Sequence, residues 1–191
     1  MKKSIYVVAF SVLFLSACKN DKKQVESVDM NSNEMQMEKE GNKESSTQKS
    51  ASISAIIDGY LLLKNALVKD DNKKATEAGE MMLTAFSNFD MASLTATQHT
   101  KYMEIAESAK EHAEHIVKNP IDHQREHFEP LSIDINDLIA LVGTDKTLYQ
   151  TFCPMAFNNK GAIWLSETKE INNPYFGSEM LTCGSVQKQI N

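Results

Sequence analysis

The sequence predicts a mainly α-helical protein: a four-helix up-and-down bundle with a partly irregular C-terminal cap that contains short strands. Three observations indicate this fold class. Between residues 53 and 142, apolar side chains recur every three or four positions, as on one face of an α-helix. Short polar or proline-containing segments divide this region into four amphipathic stretches, and short loops favour antiparallel neighbours. After Gly143 the helical period is lost and short β-like runs replace it.

The first two predicted helices are joined by a polar turn. The turn is the Asp-Asp-Asn segment at residues 70–72, which also supplies a cap for the second helix. Each helix carries its apolar residues on one face. The two faces consist of Ile53, Ile56, Ile57, Tyr60, Leu63 and Leu67 in the first helix, and of Ala75, Ala78, Met82, Ala85, Phe86 and Phe89 in the second.

The third and fourth predicted helices form a hairpin. Thr95 or Thr97 is expected to cap the third helix, which ends before Pro120 because a residue that precedes proline disfavours helical geometry. The fourth helix ends at Gly143, a typical C-cap residue. His99 is expected to point inward. The other inward positions are Tyr102, Met103, Ala106, Ala109, Ala113, Ile116 and Val117, followed by Phe128, Leu131, Ile135, Leu138 and Val142.

Residues 147–191 are predicted to form a compact cap on the bundle. This stretch mixes turn residues with aromatic residues that lie near proline or glycine. Two short runs, residues 148–153 and 162–165, have the composition of strands. No regular period follows them, so the remainder of the cap is expected to be irregular.

The N-terminus has the features of an export signal. A basic start precedes an apolar run over residues 5–15, which is shorter than the roughly 20 residues of a membrane span. The run ends in Leu-Ser-Ala-Cys at residues 15–18, which resembles the lipobox of bacterial lipoproteins. The resemblance implies that residues 1–17 are a lipoprotein signal peptide and that Cys18 is lipidated. The alternative is an ordinary secretion signal with a chance cysteine.

The mature chain is expected to consist of a tether and one domain. Residues 18–50 are predicted to be the lipidated cysteine and a flexible linker, because this segment has no aromatic side chain and is rich in charged and amide residues. Residues 51–191 are predicted to be a helical-bundle domain in the bacterial cell envelope. The lipid on Cys18 would hold the domain at the membrane, facing the periplasm or the cell surface.

Charge and motifs exclude several classes of function. The chain has 20 basic and 26 acidic side chains and a net charge of −6, with Arg125 as its single arginine. Nucleic acids require a basic surface, so no nucleic-acid partner is expected. The sequence has no glycine-rich phosphate loop, nucleophile elbow or paired-histidine protease helix, and no base is identified for a thiol nucleophile. The chain is therefore not expected to be an enzyme.

Four of the five histidines lie in the predicted hairpin of the third and fourth helices. In an antiparallel hairpin, residues equidistant from the turn share a level. With the turn near Pro120, His112 is expected to face His127, and His115 is expected to face His123. Imidazole suits copper and zinc, so these four residues are candidate metal ligands. The alternative is a solvated helical surface on which the histidines bind nothing.

Two cysteines and two methionines of the cap form a second candidate group. Cys153 and Met155 flank Pro154, and Met180 and Cys183 are separated by two residues. Thiolates and thioethers are soft donors that select Cu(I). The alternative is a Cys153–Cys183 disulfide, which an oxidising envelope would favour. It would close a loop of about 30 residues and contribute about 3–4 kcal/mol to stability. The two alternatives exclude one another, and the sequence leaves both open.

Several segments resemble an uncharacterised bacterial envelope domain. That domain occurs in stand-alone lipoproteins and attached to CusB-type heavy-metal efflux adaptor proteins. The resemblance covers about residues 54–190, and its C-terminal motif is the most specific part. The Cys-Pro-Met element is also similar to that of small metal-binding modules on copper-transporting ATPases. The segments concerned are residues 112–116, 123–128, 152–157, 160–166, 170–177 and 180–184.

These observations predict a membrane-anchored periplasmic lipoprotein that binds a heavy metal. Copper, as Cu(I), is the expected ion, and the expected role is accessory to metal efflux or buffering, with efflux adaptor or pump components as partners. The expected ligands are Cys153, Met155, Met180 and Cys183, with the four hairpin histidines as an additional or alternative set. The second hypothesis is a disulfide-stapled protein-interaction domain that binds no metal.

Overall fold

The computed structural model describes the backbone of residues 44–191 and the side chains of residues 53–191. The predictions for the signal peptide, for Cys18 and for most of the linker lie outside the described residues. Ten elements follow one another in the described part of the chain. They are α1 (Glu44–Val68), α2 (Asn72–Ser87), a 3-10 turn (Met91–Ser93), α3 (Ala96–Lys118), α4 (Ile121–Val142), β1 (Leu148–Cys153), the short α5 (Ala156–Asn159), β2 (Ala162–Ser166), a second 3-10 turn (Gly177–Glu179) and β3 (Ser185–Ile190).

The predicted fold class is confirmed. Consecutive long helices pack against one another and α1 also contacts α4, which closes the bundle. α1 begins at Glu44, so its first residues fall within the segment 18–50 that the sequence predicted to be a linker. Among the helices in the described part of the chain, none is both long enough and apolar enough to span a membrane.

The ends of the helices follow the predicted signals. Thr95, not Thr97, is the N-cap of α3, and it forms a capping box with Gln98. Asp71 caps α2 by accepting a hydrogen bond from the backbone N–H of Lys74. Gly143 ends α4 with a φ of 81°, a left-handed conformation that glycine adopts without strain.

The apolar faces predicted for the four helices form the core, with two exceptions on α3. Tyr60 and Phe128 are fully buried and their rings stack 5.1 Å apart. Met103 and His99 were both predicted to point inward. Instead, Met103 is half exposed and His99 is exposed. Counting 100° per residue, Met103 lies about 110° and His99 about 70° from the centre of the buried α3 face. Both side chains therefore lie beyond the contact of α3 with its neighbours.

The cap is a three-stranded antiparallel sheet in the order β2-β1-β3. β1 matches the predicted run at residues 148–153, and β2 extends the predicted run by one residue. The sequence did not predict β3, because its side chains are mostly exposed and polar and carry no apolar alternation. Backbone pairing with β1, and not its own composition, makes this segment a strand.

Buried polar contacts attach the sheet to the bundle. The hydroxyl of Tyr60 accepts a hydrogen bond from the backbone N–H of Leu165 at 3.0 Å and pairs with the hydroxyl of Ser132 at 2.8 Å. Burial raises the pKa of Tyr60 far above its usual value, so the phenol stays protonated. Asn173, which is fully buried, holds the loop before β3 by donating to the carbonyl of Cys183 at 2.7 Å. The cap is thereby fixed on the outside of α1 and α4.

Candidate metal centre

The hairpin of α3 and α4 is closed by only two residues, Asn119 and Pro120. Asn119 donates its side-chain N–H to the carbonyl of His115 at 2.8 Å. Gln124 is fully buried, and its Nε2 group donates to the carbonyl of Ile116 at 2.9 Å. The Asn119 contact lies at the C-terminal end of α3, whereas the Gln124 contact crosses the hairpin near its tip and fixes the register of α4 against α3.

That register brings together the four hairpin histidines, and both predicted pairs are formed. Nδ1 of His112 lies 3.0 Å from Nδ1 of His127. The rings of His115 and His123 lie 5.8 Å apart between centroids. The two levels are also in contact, since the rings of His115 and His127 stack at 4.1 Å with an angle of 5° between planes. The histidines therefore form one cluster and not two separate pairs.

The ring nitrogens of the cluster form a chain of hydrogen bonds that ends at a carboxylate. Nε2 of His127 lies 3.1 Å from Nε2 of His123, and Nδ1 of His123 lies 3.0 Å from Oε2 of Glu126. The carboxylate only accepts hydrogen bonds, so Nδ1 of His123 carries a proton and its Nε2 accepts. His127 then donates through Nε2 and accepts at Nδ1 from His112. This set of tautomers satisfies every contact with neutral rings.

The electrostatics of the cluster favour neutral imidazole at its centre. Burial lowers the pKa of His127, and His115, His123 and His112 lower it further because a charge on any of these rings would repel a charge on His127. Glu126 acts in the opposite direction but is the smallest of these influences. A metal ion requires the neutral form of histidine, so the lowered pKa of His127 favours metal binding at this residue.

Three of the four residues have the geometry of a metal site. Each of His115, His123 and His127 offers a ring nitrogen, and these atoms all lie within 4.8 Å of one another. Two nitrogens bound to one tetrahedral ion at about 2.0–2.1 Å lie about 3.3 Å apart. The distance of 3.1 Å between the Nε2 atoms of His123 and His127 is close to this value. The residues present can therefore supply three imidazole ligands to a single transition-metal ion, once the stacked rings of His115 and His127 turn so that both nitrogens point at it.

Glu126 belongs to this site although sequence analysis did not single it out. It lies three residues after His123 on α4, so the two side chains share one face of the helix. That spacing was the signal that could have identified it. An imidazole that donates its second N–H to a carboxylate is a common arrangement behind metal-bound histidine.

The cysteine and methionine candidates do not form a metal site in this structure. Cys153 and Cys183 are joined by a disulfide, with their Cα atoms 5.8 Å apart. The disulfide alternative is thus the one observed, and the thiolate donors expected for Cu(I) are absent from the described residues. Cys153 is fully buried, whereas Met155 is half exposed and Met180 is partly buried. The disulfide instead joins the end of β1 to the segment that leads into β3.

Comparison with known proteins covers the bundle and its histidines but not the disulfide. No curated protein and no solved structure matches the chain. A family model matches residues 56–147, which include the whole histidine cluster, whereas Cys153 and Cys183 lie beyond the matched segment. The match is shorter than the resemblance over residues 54–190 that the sequence suggested. The chain is therefore similar over residues 56–147 to an uncharacterised family, described as a protein of unknown function (DUF3347).

Proposed function

We propose that the chain is a lipid-anchored protein of the bacterial envelope whose helical domain binds a copper ion, as an accessory to metal efflux or buffering. The observation that carries this proposal is the convergence of ring nitrogens from His115, His123 and His127 within 4.8 Å. The three side chains come from two helices whose register is fixed by the buried contact of Gln124 with Ile116, so the backbone holds the three rings close together before an ion arrives.

The donor atoms favour copper among the common metals. Imidazole suits copper and zinc, and at a given nitrogen site Cu²⁺ binds more tightly than the other divalent first-row ions. With Cys153 and Cys183 in a disulfide, no thiolate among the described residues competes for the ion, and the histidine site offers nitrogen donors. The expected form is therefore copper held by histidine, in place of the thiolate-bound Cu(I) that the sequence suggested.

The envelope location is supported by the N-terminal sequence and by the disulfide. The Leu-Ser-Ala-Cys segment at residues 15–18 resembles a lipobox, and a lipid on Cys18 would tether the domain. Structural disulfides persist in oxidising compartments such as the periplasm and are rare in the cytosol. The proposed partners, metal-efflux adaptor or pump components, rest on the resemblance to domains attached to CusB-type adaptors.

A second candidate function is a disulfide-stapled interaction domain that binds no metal. The Cys153–Cys183 disulfide favours it, because the cap then needs no ion to hold its segments together. Under this hypothesis the histidine cluster would be a hydrogen-bonded surface only. The two functions differ in one measurable property, the binding of a metal by the hairpin.

Metal titration of the purified full chain in its oxidised form tests the proposal. The wild-type protein is expected to bind one Cu²⁺ ion per chain, and Zn²⁺ more weakly. A His115→Ala, His123→Ala, His127→Ala variant should lose this binding at least 100-fold, because it removes all three nitrogen donors. His99→Ala is the matched control, since His99 is an exposed histidine on α3 outside the cluster.

The titration has two outcomes that would contradict the proposal. A wild-type protein that binds neither ion would favour the interaction domain instead. Equal affinity in the wild type and the triple variant would place the metal elsewhere in the chain. Far-ultraviolet circular dichroism establishes that the triple variant retains its helices, so that a loss of binding reports on the ligands.

A further inference from the structure

We propose that His112 and Glu126 are positioning residues that make His127 and His123 bind the metal through their Nε2 atoms. This inference rests on the proposed metal site. It assigns a role to the two residues beside the three ligands, one a histidine of the cluster and the other a carboxylate. The structure supports it through two contacts, one behind each of the two ligand rings.

The contact behind His123 fixes which nitrogen is available. Its Nδ1 lies 3.0 Å from Oε2 of Glu126, and the carboxylate keeps the ring proton on Nδ1. The lone pair of His123 is therefore on Nε2, which faces Nε2 of His127 at 3.1 Å. Glu126 thereby directs one lone pair toward the centre of the triad.

The contact behind His127 plays the same part with an imidazole in place of a carboxylate. Nδ1 of His127 lies 3.0 Å from Nδ1 of His112. When Nδ1 of His127 carries the proton, it donates a hydrogen bond to Nδ1 of His112. The lone pair on Nε2 of His127 is then free to bind the metal. His112 is not itself one of the three residues whose nitrogens converge within 4.8 Å. Its place is behind a ligand.

The number of protons on each ring is consistent with metal binding through the Nε2 atoms. In the metal-free chain His112 donates to His127, and His127 donates through Nε2 to His123. With an ion between the two Nε2 atoms, the proton of His127 resides on Nδ1 and that of His112 resides on Nε2. Each ring carries one proton before and after, so the change is a shift of two tautomers with no net gain or loss of protons.

The electrostatic surroundings of His112 include a carboxylate on α4. Asp134 lies close enough to His112 for the two groups to interact electrostatically, and its Oδ2 atom accepts a hydrogen bond from the hydroxyl of Ser108 at 2.8 Å. Burial raises the pKa of Asp134, with the Ser108 hydrogen bond and His112 opposing the rise. An acidic group on α4 therefore acts electrostatically on His112, the ring proposed to orient His127.

Paired substitutions separate positioning from mere packing. In the full chain, His112→Ala and Glu126→Ala should each lower the affinity for Zn²⁺ and Cu²⁺ by about 10- to 100-fold, as is usual for residues that orient metal ligands. His112→Gln and Glu126→Gln should restore much of the affinity, because the amide oxygen can still accept a hydrogen bond from Nδ1–H. Glu114→Ala is the matched control: this carboxylate lies on the same hairpin but pairs with Lys118.

Nitrogen-15 spectra of the zinc-bound wild-type protein provide a direct readout of the tautomers. His123 and His127 should show a protonated Nδ1 and a zinc-bound Nε2. Binding through Nδ1 at either ring would overturn the assignment, whatever the stability of the variants. This measurement uses the wild-type protein, so it tests the assignment of the ligand nitrogens even if a substituted variant fails to fold.

The outcomes distinguish this inference from the proposed function. If the wild type binds no metal, the proposed function fails and the inference fails with it. If the wild type binds metal and both alanine variants bind within twofold of it, only the positioning roles are wrong. Glutamine variants as weak as the alanine variants would also overturn the hydrogen-bonding role.

Discussion

At the scale of single residues, Asp70 and Arg125 link three parts of the described structure. Arg125, on α4, donates to the carboxylate of Asp70, to the carbonyl of Leu67 at 3.1 Å and to the carbonyl of Pro174 at 3.0 Å. The other carboxylate oxygen of Asp70 accepts the backbone N–H of Ser178 at 3.1 Å. The turn after α1 is thereby joined both to α4 and to the loop of the cap.

The Asp70 contacts predict that the free energy of unfolding decreases at acid pH. Hydrogen bonds from Ser178 and Arg125 hold the pKa of Asp70 below its usual value. A lowered folded-state pKa stabilises the protein above the unfolded-state pKa of about 3.9, and this contribution is lost as the pH falls through the folded-state pKa. Asp70→Asn should therefore unfold at a lower urea concentration than the wild type at pH 7, with a smaller difference near pH 2.

Asp122→Asn is the control for this prediction, measured by the same urea titrations. Asp122 is almost fully exposed and lies 3.9 Å from Arg125, so its removal should change the unfolding midpoint little. A difference between Asp70→Asn and the wild type that is as large at pH 2 as at pH 7 would contradict the pH argument. Such a result would assign the effect to neutral hydrogen bonds alone.

At the scale of the elements, capping sets where α3 begins. The Thr95 hydroxyl accepts the backbone N–H of Gln98, and the Gln98 side chain accepts the backbone N–H of Thr95. The same glutamine side chain donates to the carbonyl of Leu141 at 3.0 Å, which joins the start of α3 to the end of α4. The hairpin is therefore fastened at its open end as well as near its turn.

Replacement of the N-cap residue of α3 should lower the stability of the domain by a predictable amount. Thr95→Ala is expected to lower the free energy of unfolding by about 1 kcal/mol, because it leaves a backbone donor of the first turn without its partner. Thr97→Ala is the control, since Thr97 is exposed within the first turn of α3. Denaturant unfolding followed by circular dichroism measures both. Equal effects of the two substitutions would show that the Thr95 cap is not responsible.

At the scale of the whole molecule, the candidate metal centre and the disulfide belong to different parts of the fold. The histidine cluster is built by α3 and α4 and lies within the segment that matches the family model. The disulfide lies in the cap, where it joins β1 to the segment before β3. The bundle therefore forms the cluster without the disulfide, and the cap is stabilised without the cluster.

This division predicts that stability and metal binding respond separately to loss of the disulfide. Cys153→Ala with Cys183→Ala should lower the free energy of unfolding by about 3–4 kcal/mol in the chain-entropy estimate for a loop of this length. Copper affinity should change less than twofold, because no ligand is removed. Denaturant unfolding and metal titration of the full chain measure the two properties. A large loss of copper binding would instead support the cysteine and methionine residues as the site.

The helices and the pairing of the histidines were predictable from the sequence because they depend on local order. The helical period identified α1 to α4, and Pro120 and Gly143 marked the ends of α3 and α4. A turn of two residues then fixes which positions of α3 and α4 share a level, so His112 could be assigned to His127 from numbering alone. The contact between the two levels and the part played by Glu126 required the orientations of the rings.

The sequence by itself determined the four helices, the first two strands and the facing histidine pairs, since periodicity and short turns act over a few residues. Only the tertiary structure decided the rest. β3 is a strand because β1 pairs with it, and His99 is exposed because of where the neighbours of α3 lie. The choice between thiolates and a disulfide depends on bringing Cys153 to within 5.8 Å of Cys183 between Cα atoms, across 30 residues. Contacts between distant segments form only when the whole chain packs, and no local pattern encodes them.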